Sequence, residues 1–276
     1  MKKPSSPLLL TVGFFLAAAL CPELGSAAEP DAQPVWNQFR GPHADGRADA
    51  AGLPLTWSDT ENVIWKTPIP HQGWSTPLVL GTQIWLTSAT EDGKESWVHC
   101  LDRASGKVLH EARVFTTAAP EPLGNSLNCY ASPTGFLEPG RVYVHFGSYG
   151  TACLDTVSFK EIWRRTDLPC RHYRGPGSSL FPWKNSLILT MDGVDVQYLA
   201  ALDRTTGATL WKTDRNTNFE DLDAAGKPQM EGDLRKAYST PILITVDGKP
   251  QLVSTGSRAT VAYDPDTGKE IWRARY

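Results

Sequence analysis

The chain has 276 residues, 41% of them hydrophobic and 21% charged, with a formal net charge of −3. That composition is ordinary for a globular protein able to bury a core, and it excludes a disordered or collagen-like chain. The slight acidic excess speaks against a nucleic-acid partner, whose footprint is a basic face.

Residues 1–28 have the plan of an export leader. Met1-Lys2-Lys3 is a charged start, Leu8 to Leu20 is apolar, and Ser26-Ala27-Ala28 offers small residues for cleavage. Such a segment is a secretory signal peptide, too short for a membrane span, so a periplasmic or secreted protein is expected and not an integral membrane one. There is no twin arginine, which favours the general secretory route. Cys21 sits where a lipoprotein cysteine could, but bulky Leu20 precedes it.

Residues 29–61 read as a linker and an N-terminal arm. Trp36-Asn37-Gln38-Phe39-Arg40-Gly41-Pro42 opens it, and Gly- and Asp-rich sequence without strand periodicity follows as far as Trp57. Asn62-Val63-Ile64-Trp65-Lys66 is expected to be a β-strand carrying Trp65.

From there the chain divides into four similar units, near 74–115, 129–166, 176–214 and 237–274. The first runs from Trp74-Ser75-Thr76-Pro77 through strands parted by Gly81-Thr82 and Glu91-Asp92-Gly93-Lys94. The second starts at Tyr130-Ala131-Ser132-Pro133, the third at Gly177-Ser178-Ser179-Leu180 and the fourth at Tyr238-Ser239-Thr240-Pro241. Short alternating strands between Gly, Asp and Pro turns imply antiparallel β-structure.

Each unit ends on the same phrase. It reads Leu202-Asp203-Arg204-Thr205-Thr206-Gly207-Ala208-Thr209-Leu210-Trp211 in the third unit, and it recurs around Asp264, Gly268 and Trp272 in the fourth. Asp155 to Trp163 is a copy with Phe159 in place of Gly, and Asp102 to His110 a copy with His110 in place of Trp. In all four the Asp and the aromatic lie eight residues apart. The Asp can accept backbone N–H groups within its turn, and Gly supplies the positive φ that closes it. The Trp then acts as a plug; burying about 150–250 Å² is worth roughly 4–6 kcal/mol before entropy. Trp65, Asp102, Asp155, Trp163, Asp203, Gly207, Trp211, Asp264, Gly268 and Trp272 are therefore structural. A motif repeated at intervals of roughly 40–60 residues defines a repeat architecture, and four-stranded units repeated radially define a β-propeller.

This phrase, with the Ser-Thr-Pro approach to each unit, resembles the tryptophan-docking motif of the pyrroloquinoline-quinone-like (PQQ-like) repeat family, exported bacterial type. The resemblance covers about Asn62 to Tyr276. It implies an all-β propeller of four-stranded antiparallel blades, about four present. Family members carry about eight, so a partial ring with an unmatched Trp65 strand is expected. Two kinds of relative bracket the function: an outer-membrane-assembly scaffold, and quinoprotein dehydrogenases that hold PQQ and Ca²⁺. Fold does not choose between them.

The dehydrogenases need a catalytic Asp, Glu and Asn ligands for Ca²⁺, a flat Trp and, in many, adjacent cysteines. No Cys-Cys pair occurs here, and no acid–amide set matches the rest. Gly-x-Ser-x-Gly, His-Glu-x-x-His and phosphate-loop motifs are also missing. The strongest polar cluster is Asp167 to Pro176, where Arg171, His172, Tyr173 and Arg174 could grip an anion or act as an acid–base group. The competing expectation is a loop whose arginines pair with acidic neighbours. Trp74, Tyr130 and Tyr238, with His172, could ring an axial funnel and bind a carbohydrate or anion. Asp221 and Asp223 are weak metal candidates in an acidic insertion that matches no calcium loop.

Cys100 and Cys153 stand where Ala201 and Ala262 do, a slot for small buried side chains. Cys129 and Cys170 lie in connections between units. A disulfide is permitted in an exported protein, but adjacent units could hold them too far apart, so their pairing stays open.

The reading that results is a binding or assembly scaffold of the cell envelope, needing no cofactor, with an envelope protein or a small molecule on the propeller face. The alternatives are a quinone-dependent alcohol or sugar dehydrogenase, and a carbohydrate- or anion-binding module. Two local expectations accompany it. The Phe159 turn should take a different shape, or Phe159→Gly should stabilise, because Phe at positive φ costs about 1–2 kcal/mol. His110→Trp should raise the melting temperature.

Overall fold

The computed structural model describes residues 35–48, 50–124 and 126–276. The expected signal peptide lies outside the described residues. Among the described residues, seventeen strands fall into four antiparallel sheets. The first holds β1 (Val35–Trp36), β2 (Leu78–Leu80), β3 (Gln83–Ala89), β4 (Glu95–Asp102) and β5 (Val108–Thr116). The second holds β6 (Phe136–Glu138), β7 (Arg141–His145), β8 (Thr151–Asp155) and β9 (Glu161–Arg165). The third holds β10 (Phe181–Trp183), β11 (Ser186–Asp192), β12 (Gln197–Asp203) and β13 (Thr209–Asp214). The fourth holds β14 (Ile242–Val246), β15 (Lys249–Thr255), β16 (Ala259–Tyr263) and β17 (Glu270–Arg275).

Three cores hold the sheets together, one in each gap between neighbours. Leu78, Trp85 and Cys100 of the first sheet meet Leu137, Val142 and Leu154 of the second. Tyr143, Cys153 and Trp163 meet Leu187, Leu189 and Tyr198 of the third. Ile188, Leu199 and Ala201 meet Leu252, Val261 and Tyr263 of the fourth. Because side chains alternate along a strand, Leu187 and Leu189 face one neighbour and Ile188 the other. That explains why all seven residues of β11 are buried. The sheets form an arc that is not closed into a ring. On the fourth sheet Ile242, Leu243, Val246, Ile271 and Trp272 are exposed.

The repeated turn has one geometry in all four sheets. In the third sheet Asp203 Oδ1 accepts from the backbone of Thr205 and Thr206 and from the Thr206 hydroxyl, at 2.8–3.0 Å. The Gly207 N–H returns to Asp203 O at 2.8 Å. A register shift just before the Asp, between Cys100 and Leu101, Cys153 and Leu154, Ala201 and Leu202, and Ala262 and Tyr263, turns the outer strand so that its aromatic faces the next sheet.

Trp163 and Trp211 each dock on the turn of the sheet that follows, whereas Trp272 of the fourth sheet bonds to Gln251 of its own sheet. The indole N–H of Trp163 donates to Arg204 O at 2.9 Å and that of Trp211 to Pro265 O at 3.3 Å. The rings lie flat on Gly207 and Gly268, where a Cβ would come within 2.7 and 2.4 Å of the indole. Glycine is required there for space as well as for φ.

Two expectations are corrected here. Residues 62–66 form no β-strand. Trp65 nevertheless docks like the others, over Gly106, with its N–H on Arg103 O at 2.9 Å and Thr67 Oγ1 on Gly106 O at 2.7 Å. One indole and one hydroxyl suffice, without a ladder. The arm is not wholly irregular either: β1 adds to β2 in antiparallel register.

The Phe159 turn corrects the first half of a third expectation, that of a different shape. Phe159 has φ 60, beside 70, 73 and 69 for Gly106, Gly207 and Gly268, and its N–H makes the same bond to Asp155 O at 2.9 Å. The turn keeps its shape because Phe159 is half of a pair. His110 lies on its ring, with centroids 4.6 Å apart and planes 4° apart. Where the other sheets set Trp on Gly, this junction sets His on Phe. The carbonyl left without an indole, Thr156 O, accepts from Gln83 Nε2 at 2.9 Å instead.

Candidate functional site

Strand register also settles which residues share a position at the axis. Leu78 pairs with Trp85, Phe136 with Tyr143, Phe181 with Ile188 and Ile242 with Val253. Thr76, Thr134, Ser179 and Thr240 are therefore equivalent, two residues before each inner strand. A ladder joins them: Thr76 N–H donates to Thr134 Oγ1, Thr134 N–H to Ser179 Oγ and Ser179 N–H to Thr240 Oγ1, at 2.9, 3.0 and 2.9 Å. This corrects the alignment of the second unit, where Thr134 and not Ser132 stands at the place of Thr76. Tyr130 consequently does not occupy the place of Trp74 and Tyr238.

Of the six candidate ligand residues, the structure brings Arg174 and Tyr238 together. With Leu127, Asn128 and Gly177 they line a cavity of about 370 Å³. Tyr238 is 37% exposed and packs on Gly177, and burial pushes its hydroxyl up to about 12. Arg174 lies 5.2 Å over the Tyr173 ring and 3.8 Å from Asp233. Tyr238 and Gly177 also wall a second cavity, of about 250 Å³, closed by Gln38, Phe39 and Arg40 of the arm. The two cavities are neighbours that share Gly177 and Tyr238 as lining, and the cleft around Tyr238 denotes the pair.

The other candidates lie elsewhere. Trp74 is exposed and lines neither cavity. Tyr130 is buried, with its hydroxyl donating to Glu121 O at 2.8 Å. Arg171 is held by Glu121 Oε1 at 2.8 Å. His172 is buried between Cys170, 3.6 Å from its Nδ1, and the Ser148 N–H, 3.1 Å from its Nε2; burial takes its pKa down to about 4. The cluster at 167–176 thus resolves mostly into paired structural groups.

Buried polar networks account for much of the remaining titratable chemistry. Ser88 Oγ lies 2.7 Å from His99 Nε2, and His99 Nδ1 lies 3.0 Å from Glu111 Oε2. The order is that of nucleophile, base and carboxylate. Ser88 is only 1% exposed and lines neither cavity, however, so the row ties β3, β4 and β5 together. Arg215 makes two bonds to Asp192, at 2.6 and 2.8 Å, and one to Ser254 Oγ at 2.7 Å, linking the third and fourth sheets. Cys100, Cys129, Cys153 and Cys170 are all free and buried, so no Cys129–Cys170 disulfide is formed. These long-range partners leave no local mark in the sequence. The arm's Gln-Phe-Arg could have been singled out as an aromatic–basic group in a segment without strand periodicity.

The metal candidates are committed to other partners. Arg235 donates twice to Asp221, at 2.8 Å each, and Asp223 Oδ1 accepts from Ala225 and Lys227 N–H. Among the described residues no group of three or more His, Cys, Asp or Glu side chains could hold a metal ion.

Repeats, sheets and docked tryptophans together make this a β-propeller arc, whose repeats are similar to those of the PQQ-like family. Residues 195–276 match the family model described as outer membrane protein assembly factor BamB. Among solved structures, the chain is similar to the quinohemoprotein alcohol dehydrogenase of Comamonas testosteroni, at 20% identity and a TM-score of 0.53, covering 74% of this chain and 35% of that one. The quinohemoprotein alcohol dehydrogenase ADHIIG of Pseudomonas putida HK5 is similar at 14% identity and a TM-score of 0.53, covering 76% and 35%. BamB of Moraxella catarrhalis is similar at 20% identity and a TM-score of 0.47, covering 71% and 50%. The chain spans half the length of that BamB and about a third of each dehydrogenase. Comparison with curated proteins finds no match. No helix among the described residues is long and apolar enough to cross a membrane.

Proposed function

We propose that this chain is a binding or assembly scaffold of the cell envelope that takes its ligand in the cleft around Tyr238. One observation carries the reading. The groups open to that cleft, Arg40, Arg174 and Tyr238, suit recognition, while His99, His145, His172 and Cys170, which could move protons or attack, are buried and engaged. The match of residues 195–276 to the BamB description supports it, and the leader-like residues 1–28 support export. Two arginines beside an aromatic favour an anionic ligand group over a neutral sugar.

The test is titration of the purified protein with pyrroloquinoline quinone and Ca²⁺, followed by absorbance and by dye reduction with alcohols and sugars. A scaffold gives neither stoichiometric binding nor dye reduction. Both together would establish the dehydrogenase instead.

A further inference from the structure

Among the described residues, nothing pairs with the axial edge of the fourth sheet. β14 is an edge strand whose one partner is β15. Its residues, Ile-Leu-Ile-Thr-Val, all favour strands or are apolar, yet Ile242, Leu243 and Val246 are 45%, 37% and 42% exposed. Such an edge is a template for strand addition.

The register identifies which backbone groups face outward. Val246 and Lys249 flank the two-residue turn Asp247-Gly248, with φ 50 and 74. The flanking pair of a hairpin of this type is hydrogen-bonded, and bonded pairs alternate with non-bonded ones. Thr245 faces Pro250, which has no N–H, as this alternation requires. Ile242, Ile244 and Val246 thus bond to β15. Leu243 and Thr245 turn N–H and C=O to the axis, where no described residue meets them.

The first sheet shows how a strand can cover the corresponding edge. There β1 lies antiparallel on β2, Val35 opposite Leu80 and Trp36 opposite Val79. Its C-terminal end leads past the start of the inner strand, where Asn37 O accepts the Leu137 N–H at 2.9 Å. A strand laid on β14 in the same sense would bring its C-terminal end to Ile242. At that point it meets the cavity of about 250 Å³ that Arg40, Tyr238 and Thr240 help to wall. The arm holds Arg40 there at φ 63, with Gly46 N–H on Arg40 O at 2.9 Å and Gln38 Nε2 on Pro42 O at 3.0 Å. Its guanidinium has no carboxylate partner among the described residues.

We propose that the chain binds an extended, apolar peptide segment that adds to β14 as an antiparallel strand and sets its C-terminal carboxylate against Arg40. Main-chain bonds to Leu243 and Thr245 supply affinity, and the carboxylate supplies polarity and register. The proposal rests on the scaffold reading of the same cleft and names its partner class.

The test uses the full chain and a fluorescein-labelled octapeptide of alternating valine and threonine ending in valine, as free acid and as amide. Fluorescence anisotropy should show the acid bound about tenfold or more tightly than the amide, the worth of one charge-assisted hydrogen bond. Arg40→Gln should bring the acid down to the amide's affinity and leave the amide unchanged. Thr245→Pro removes an outward N–H but no bond to β15, and should abolish binding of both peptides. Amide exchange on the unaltered protein covers the case in which that variant fails to fold, since the Leu243 and Thr245 amides should slow when the free acid is added. Equal affinity for acid and amide, unslowed exchange at both positions, or no binding of either peptide at millimolar concentration overturns the proposal. Any of these leaves the quinone titration, and the scaffold reading it tests, untouched.

Discussion

The His110–Phe159 pair makes a quantitative prediction that reverses what either residue suggests alone. Phe159→Gly relieves a positive-φ cost of about 1–2 kcal/mol. It also removes a half-buried ring stacked on His110. Losing about 100 Å² of apolar burial costs roughly 2–3 kcal/mol, and the ring contact adds about 0.5–1.5 kcal/mol. The single variant should therefore be destabilised by about 1–3 kcal/mol. His110→Trp places an indole where its three siblings require a bare Gly Cα, so it meets the Phe159 ring and costs about 1–3 kcal/mol as overpacking. Combined, the substitutions rebuild the junction found at Trp163 and Gly207. Denaturant unfolding of the four proteins should return a favourable coupling of about 2 kcal/mol. The double variant gains its indole bond only by displacing Gln83 from Thr156 O, which keeps the coupling from being larger. Additivity within about 0.5 kcal/mol would refute a compensated pair, and stabilisation by His110→Trp alone would refute the packing argument.

Three further outcomes are expected. Trp163→Ala should cost about 3–5 kcal/mol by thermal or denaturant unfolding, because Trp163 is 8% exposed between two sheets; Trp272, 37% exposed and bonded to Gln251 of its own sheet, should cost half that or less. Asp192→Asn should destabilise by about 3 kcal/mol or more, since it leaves the buried Arg215 charge without its partner, and urea midpoints would show it. Stability should fall with acid below about pH 6.5. Burial holds His145 at about 3 and His172 at about 4, so both stay neutral in the folded chain while the unfolded chain takes up protons. Each contributes a loss of up to about 1.4 kcal/mol per pH unit until its folded value is reached. His145→Gln should make the slope between pH 6.5 and 5 shallower by about that amount, and an unchanged slope would mean that His145 is not the group responsible.

The sequence alone determined the features that rest on local chemistry. An Asp that folds its carboxylate onto the next two or three N–H groups, a Gly that permits positive φ and a Trp eight residues on are readable because each acts within ten residues. Repetition then supplied the sheets and the order of packing, since a unit apolar on both faces needs a neighbour on each. The small slot at Cys100 and Cys153 followed from alignment with Ala201 and Ala262. What depended on partners far along the chain stayed hidden. His110 and Phe159 look like two defects until the junction shows them stacked across 49 positions. Tyr130 and His172 carry the right chemistry for a ligand surface, but a two-residue offset in the lead-in to β6 and the contacts with Glu121 and Ser148 turn them inward. Arg40 becomes part of a cleft only because the arm crosses to the inner strands of the third and fourth sheets. Turn and plug are set by neighbours in sequence, whereas the cleft is set by which loops the arc brings to its axis.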